Sequence, residues 1–204
     1  MRGQLWIVAA PSGGGKTTLI REVIEALKHN VVESVSHTTR PARMGEEHGK
    51  HYFFVSPEQF KKMVDAGDFL EHAEVFGNCY GTSNTEIESR LSRGIDVILN
   101  IDWQGARRVR SLRPDVRTVF LLPPSIQILR SRLTHRGLDD AEVVAERMRQ
   151  ASEQISHYDE FDYLIVNDDL RTATLQLQSL ILAARLERQR CQPDHQTLID
   201  QLLA

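Results

Sequence analysis

The stretch QLWIVAAPSGGGKTTLIREVIEAL, Gln4 to Leu27, decides how the chain is read. Its first seven residues, Gln4 to Ala10, are an almost unbroken apolar run with the length of a buried strand, and Leu19, Ile20, Val23, Ile24 and Leu27 then recur at helical spacing. Between the two lies APSGGGKT. A glycine run between a buried strand and a helix leaves successive backbone N–H groups free to converge on phosphate oxygens, at a helix N-terminus whose dipole favours an anion. Lys16 would then reach the β- and γ-phosphates of a nucleoside triphosphate, and the Thr17 hydroxyl would ligate magnesium. The usual pattern opens on Gly where this chain has Ala10; from Gly13 onward it is met. Ala10, Pro11, Ser12, Gly13, Gly14, Gly15, Lys16, Thr17 and Thr18 are therefore the candidate triphosphate-binding residues. The alternative, a glycine-rich turn with a surface lysine, does not account for both flanking elements.

Working outward, DVILNI (96–101), RTVFLL (117–122) and DYLIV (162–166) also read as buried strands, each followed by a segment of helical pattern. This alternation predicts an α/β fold, a central parallel sheet with helices on both faces. The stretch from Val35 to Asn84 has a different texture, with scattered Gly and many polar residues, and reads as an inserted, mainly β lobe. After Leu133 the polar THRGLDDAE joins two helical segments in the manner of a lid; the second carries Val144, Met148, Ala151 and Ile155 on one face. The last long helix shows Ala173, Leu177, Leu180, Ile181 and Ala184 on one face, and the tail beyond Gln192, with Pro193, reads as a separate short helix. The expected organisation is a core of residues 1–34 and 85–190 with a lid at about 134–147, a lobe of residues 35–84, and a tail of residues 191–204.

Composition narrows the function. Lys plus Arg total 25 against 28 for Asp plus Glu, a net charge of -3, so no global cationic excess would hold a nucleic acid or an anionic membrane. The longest apolar runs, Leu5 to Ala10 and Leu180 to Ala184, fall far short of the roughly 20 residues of a membrane span. The N-terminal apolar stretch runs straight into PSGGGK, which argues against a cleaved signal. Cys79 and Cys191 are far apart with no CxxC, so they read as ordinary thiols in a reducing compartment. The expectation is a soluble cytoplasmic protein, with homo-oligomerisation left open.

Two further groups carry chemistry. DVILNID ends in Asp102, where a strand-end acid near the phosphate loop would hold magnesium through water; the less favoured alternative is that it caps the following helix. In SHTTRPARMGEEHGKHYFF, Ser36, Arg40, Arg43 and Tyr52 form a set suited to a phosphate monoester, because guanidinium groups match phosphate oxygens bidentately and a tyrosine hydroxyl adds a donor. Beside a triphosphate loop, such a set is what a kinase needs for its acceptor.

At this point the chain resembles the guanylate kinases, within the P-loop nucleoside monophosphate kinases. The resemblance rests on Thr38, Thr39, Arg40, Arg43, Glu46, Gly49, Tyr52 and Phe54, on Phe69, Leu70 and Glu71 followed by Gly77, Asn78, Tyr80, Gly81 and Thr82, on Ile101 to Gly105, and on Val166 to Asp168. It extends from about Leu5 to about Arg185. It implies the three-layer P-loop nucleoside monophosphate kinase fold, with an inserted GMP-binding lobe and a helical lid, and transfer of the ATP γ-phosphate to GMP or dGMP with magnesium. Carried onto matching positions, it implies that Arg40, Arg43, Tyr52 and Tyr80 hold the GMP phosphate, that Ser36, Glu71 and Thr82 read the guanine edge, and that Asn167 lies beside the adenine. For Glu71 the chemistry agrees: guanine presents N1–H and an exocyclic amine as adjacent donors, and a carboxylate only accepts.

The family pattern also has arginines at Arg132, Arg136 and Arg147, in and after the lid joint. Phosphoryl transfer depends on placing cations around the developing charge, and these three with Lys16 are the candidate catalytic residues. Arg130, Arg149 and the run Arg107, Arg108, Arg110 read as surface charges or salt-bridge partners. One departure stands out: Asn100, placed with the GMP-binding residues, stands where the family usually carries an acid, so Asn100→Asp is expected to tighten magnesium or GMP binding. A rival class, the guanylate-kinase-like domains that bind partner peptides without catalysis, typically lacks a working P-loop; here Gly13, Gly15, Lys16 and Thr17 are intact. A P-loop kinase of another acceptor is disfavoured by Glu71 together with Arg40, Arg43 and Tyr52.

Overall fold

The computed structural model describes residues 1–75, 77–134 and 141–204. Strands β1 (Leu5–Ala9), β2 (Val31–Glu33), β7 (Asp96–Asn100), β8 (Arg117–Leu122) and β9 (Tyr163–Val166) form a five-stranded sheet in the order β2-β7-β1-β8-β9. Every pairing in it is parallel. The central strand β1 is buried throughout, and its residues alternate between two cores. Trp6 and Val8 join Leu19, Ile20 and Val23 of α1 (Lys16–Leu27) and Ala173, Leu177, Ile181 and Ala184 of α7 (Leu170–Arg185). Leu5 and Ile7 face the other way, onto Ile87 and Leu91 of α3 (Asn84–Ser92) and Ala106 and Val109 of α4 (Trp103–Leu112). Continuous apolar strands and striped helices thus make three layers.

The inserted region forms a second sheet, β4 (Phe53–Phe54), β3 (His37–Thr38), β6 (Asn78–Ser83) and β5 (Phe69–Val75) in that order, with β3–β6 and β5–β6 antiparallel. Thr38 Oγ1 donates to Cys79 O at 3.0 Å and Cys79 N donates to Thr39 Oγ1 at 2.9 Å, so these two threonines brace β3 to β6. The region also contains α2 (Pro57–Asp65), which a mainly β reading did not foresee. Its start is a capping box: Gln59 N donates to Ser56 Oγ, Ser56 N donates to Gln59 Oε1, and Pro57 takes the first helical position. Leu70 of β5 reaches back into the core beneath β1.

Helix α5 (Ile126–Thr134) packs on α6 (Ala141–Ile155) through Leu129, Leu133 and Ala151, with Met148 and Ile155 alongside. The polar joint between them lies outside the described residues. The C-terminal tail corrects the expectation of a short helix beyond Gln192: α8 runs from Arg188 to Leu203 with Pro193 inside it. Proline removes one helical bond there, and the helix start is held from outside. Arg190 donates to Ala184 O and Arg2 O, and the Met1 amino group pairs with Asp194 at 2.8 Å. The arginines of α4 are structural, as expected: Arg107 pairs with Glu160, Arg110 with Asp162, and Arg108 donates to His72 O.

Asp96, fully buried at the start of β7, accepts from Gln4 N at 2.6 Å and from Arg185 Nε at 2.9 Å. Burial pushes its carboxyl pKa up, against the pull of Gln4 N–H and Arg185. Arg185→Ala removes the nearer of two guanidinium groups at this carboxylate, leaving Arg190 at 3.9 Å, and is expected to cost about 3 kcal/mol at pH 7. A raised folded-state pKa gives a contribution that is present at low pH and lost as pH rises. The deficit in urea unfolding should therefore shrink between pH 7 and pH 4; a pH-independent deficit would show that Arg185 acts through packing instead.

Candidate active site

The β1–α1 loop takes the shape its glycines allow. Gly13 and Gly15 have φ of 81° and 86°, a region that L side chains rarely adopt. A Cβ on Gly13 would press on Leu129 and Leu133 at 3.2 Å, and one on Gly15 would overlap Asn167 Nδ2. Gly14 N closes the turn on Pro11 O at 2.9 Å. Asn167, buried just after β9, donates from Nδ2 to Gly14 O at 2.8 Å, so its side chain is committed to the loop itself. Arg132 Nη2 donates to Asn167 O at 3.1 Å, while Nη1 is buried and has no hydrogen-bond partner among the described residues. Leaving a guanidinium nitrogen unpaired in the interior is costly, and an anion in the adjoining cleft would relieve it. That cleft, about 510 Å³, is lined by Gly13, Gly15, Thr18, Ser131, Arg132, Asn167, Asp168 and Leu170. Thr17 is exposed beside it, and Ser12 N donates to Gln154 Oε1 of α6 at 2.9 Å, a link to the lid side that sequence reasoning missed.

Lys16 Nζ donates to Ile101 O at 3.0 Å, joining the loop after β1 to the loop after the neighbouring β7. In an open parallel sheet, the crevice outside the carboxyl ends of adjacent strands is where ligands bind. Burial pushes the Lys16 pKa down to about 8, while Asp102 and Glu33 pull it back up. Asp102 caps α4, its Oδ1 accepting from Gly105 N at 2.9 Å. The capping reading of Asp102 is thus met, and the residue is exposed at the strand end.

A second, smaller cavity of about 60 Å³ lies beyond Ile101, lined by Glu33, Ser34, Ser36, His51, Tyr52, Thr82, Leu99, Asn100 and Ile101. Arg40 stands at its side. Its Nη2 makes two bonds to the Glu46 carboxylate, at 2.8 and 3.0 Å, its Cζ lies 5.5 Å from the Tyr52 ring centroid, and Tyr52 and Tyr80 are 6.0 Å apart. Glu46 also accepts from Arg43 N, and Arg40 together with that N–H holds the Glu46 carboxyl below the usual carboxylate range. Glu46 is thus the residue that aims Arg40. The Arg43 side chain is exposed. Buried Thr82 donates from Oγ1 to Glu71 Oε1 at 2.7 Å, and burial raises the Glu71 pKa.

The structure therefore brings together Ser36, Tyr52, Thr82 and Asn100, with Glu71 behind Thr82 and Arg40 and Tyr80 beside Tyr52. Arg147 is half-buried on α6. Arg136 lies outside the described residues. Beside Asn100, which stands where the family usually carries an acid, the neighbouring strand supplies a carboxylate: Asn100 Nδ2 donates to Glu33 Oε1 at 2.8 Å. Burial raises the Glu33 pKa, against the Asn100 hydrogen bond and the Lys16 charge.

A phosphate loop at one end of a parallel sheet, an arginine and tyrosine acceptor pocket at the other side of one lysine, and a helical pair over the loop define a P-loop nucleoside monophosphate kinase. The guanylate kinase family model matches residues 2–184. A guanylate kinase from Hahella chejuensis is 54% identical over 185 residues, covering 91% of this chain and 88% of the relative. One from Escherichia coli strain K12 is 52% identical over 204 residues, covering 100% and 99%. The crystal structure of guanylate kinase from Anaplasma phagocytophilum superposes with a TM-score of 0.74 at 35% identity, covering 93% of this chain and 89% of that one. The chain belongs to the guanylate kinase family, and it is an ATP:GMP phosphotransferase.

The depressed Lys16 pKa predicts a pH dependence of ATP binding. Phosphate charge favours the ammonium form, so binding at a pH above about 8 should draw a proton onto Lys16. Calorimetry at pH 8.5 in buffers of different ionisation enthalpy should show this uptake, and pH 6.5 should not, because Lys16 is already charged there. Equal proton balance at both pH values would remove Lys16 from the phosphates.

Proposed function

We propose that the enzyme transfers the γ-phosphoryl group of ATP to the phosphate of GMP, and of dGMP, in the cytoplasm, serving purine nucleotide metabolism and GMP recycling. The observation that carries this reading is Lys16, whose ammonium bridges from the glycine loop to Ile101 on the wall of the acceptor cavity. The loop N–H groups of residues 13–16 hold the ATP phosphates; Arg40, Arg43, Tyr52 and Tyr80 hold the GMP phosphate; Ser36, Glu71, Thr82 and Asn100 face the nucleoside; Asn167 sets the loop on the adenine side. An oxygen of the GMP phosphate attacks the γ-phosphorus as the bond to the bridging oxygen breaks, leaving ADP. Lys16 and Arg132, joined by Arg136 and Arg147, neutralise charge spreading over the transferred oxygens. Closing the lobe (35–84) and the lid (about 134–147) over both nucleotides excludes water as a competing acceptor.

Thr17 and Asp102 offer hard oxygen donors suited to magnesium, and among the described residues no cluster of three or more metal-ligating side chains exists to hold an ion alone. Magnesium would thus sit on Thr17, on Asp102 through water and on the nucleotide phosphates, where it supplies charge neutralisation. A coupled assay of ADP release across GMP, AMP, CMP and UMP, with and without a chelator, tests the reading. GMP should be preferred by on the order of a thousandfold, as expected where a site's own polar groups go unpaired with the wrong base, and chelation should abolish turnover. Comparable rates with AMP would overturn it.

A further inference from the structure

We propose that Glu33 is a specificity-determining residue of the acceptor pocket, acting as a pair with Asn100 that accepts a hydrogen bond from an amine or hydroxyl of the acceptor nucleoside. The inference rests on the guanylate kinase reading of this pocket. Glu33 ends β2 and Asn100 ends β7, adjacent parallel strands, so both side chains emerge at the same edge of the sheet. Both line the cavity that also contains Ser36, Tyr52 and Thr82.

The bond from Asn100 Nδ2 to Glu33 Oε1 at 2.8 Å sets what the pair can do. A carboxylate only accepts, so Glu33 compels Asn100 to point its nitrogen inward to the pair and leaves the amide oxygen for another partner. The atoms without a hydrogen bond among the described residues, Asn100 Oδ1 and the second Glu33 oxygen, are acceptors. One negative charge is shared across two strand ends, and it faces the pocket whose wall includes Thr82, the partner of Glu71. A guanine nucleoside presents more donors than Glu71 can take: its amine carries two N–H groups, and its ribose adds hydroxyls.

This pairing reverses what the sequence leads one to expect of Asn100→Asp. With Glu33 in contact, that substitution sets carboxylate against carboxylate and should weaken GMP binding. Moving the charge across the pair, in the double variant Glu33→Gln with Asn100→Asp, restores one carboxylate and one amide in hydrogen-bond contact.

The test is a steady-state charge swap, with folding checked by thermal unfolding. Each single variant should raise the KM for GMP about tenfold, the cost of a hydrogen bond to a charged group, with kcat and the ATP KM changed less than about twofold. The double variant should return the GMP KM to within about threefold of wild type; a merely structural contact would not give this split or this rescue. If Glu33→Gln does not fold, the double variant against Asn100→Asp still reads the rescue. With inosine monophosphate, which lacks the amine, or with dGMP, which lacks the 2′-hydroxyl, the Glu33→Gln effect should vanish for whichever analogue lacks the donor. An unchanged GMP KM in Glu33→Gln, a double variant no better than the worse single, an effect on the ATP KM instead, or a full effect with both analogues overturns the proposal. Wild-type protein that fails to phosphorylate GMP would instead overturn the functional reading beneath it.

Discussion

Lys16→Ala is expected to leave a folded protein whose kcat/KM for phosphoryl transfer falls on the order of a thousandfold. That magnitude follows from the loss of one preorganised cation aimed at developing charge, in a site where Arg132 is bonded to Asn167 O and Lys16 to Ile101 O. Folding should survive, because among the described residues the Lys16 ammonium makes one hydrogen bond, to Ile101 O, and burial disfavours its charge more than Asp102 and Glu33 favour it. Turnover near wild type at saturating ATP would remove Lys16 from the reaction. Rescue by raising ATP alone would show that it binds substrate without stabilising the transition state.

Glu71→Gln is expected to lower kcat/KM for GMP on the order of a hundredfold while leaving the ATP KM unchanged. Glu71 is held by Thr82 Oγ1 on one oxygen, so a glutamine there keeps one acceptor and turns an N–H toward the donors of the base. Buried donors facing donors cost more than the lost bond alone. The wild-type pH profile carries the same information: burial raises the Glu71 pKa, and only the carboxylate accepts twice, so the KM for GMP should fall as pH rises through that pKa and then level off. A Glu71→Gln enzyme with unchanged GMP KM and unchanged preference over AMP would show that Glu71 does not read the base.

The strands of the main sheet were legible because most of them are buried on both faces and leave continuous apolar runs, as in Leu5 to Ala9 and Arg117 to Leu122. Val31–Glu33 escaped notice because three residues after a 3₁₀ turn carry no period, and the two-residue strands His37–Thr38 and Phe53–Phe54 carry even less. Helix α2 was legible after all in Ser56, Pro57 and Gln59, a cap signal obscured by the polar texture around it. The glycine loop could be read because its backbone shape requires particular residue types. The Glu33–Asn100 pair could not, since its members are 67 positions apart and only the parallel register of β2 on β7 aligns them. Asn167 was placed only by the resemblance, which sets it beside the adenine; in the structure it lines the cleft at the glycine loop and its amide holds Gly14.

The central claim is that one lysine links a donor loop to an acceptor pocket built for guanine, so that phosphate passes from ATP to GMP and not to water. It is tested most directly by incubating the enzyme with ATP labelled on the γ-phosphate and GMP, then separating the products after a single turnover. The label should appear on the β-phosphate of GDP in amount equal to the ADP formed, with Lys16→Ala forming almost none. Label recovered as inorganic phosphate, or transferred equally to AMP supplied in place of GMP, would contradict it.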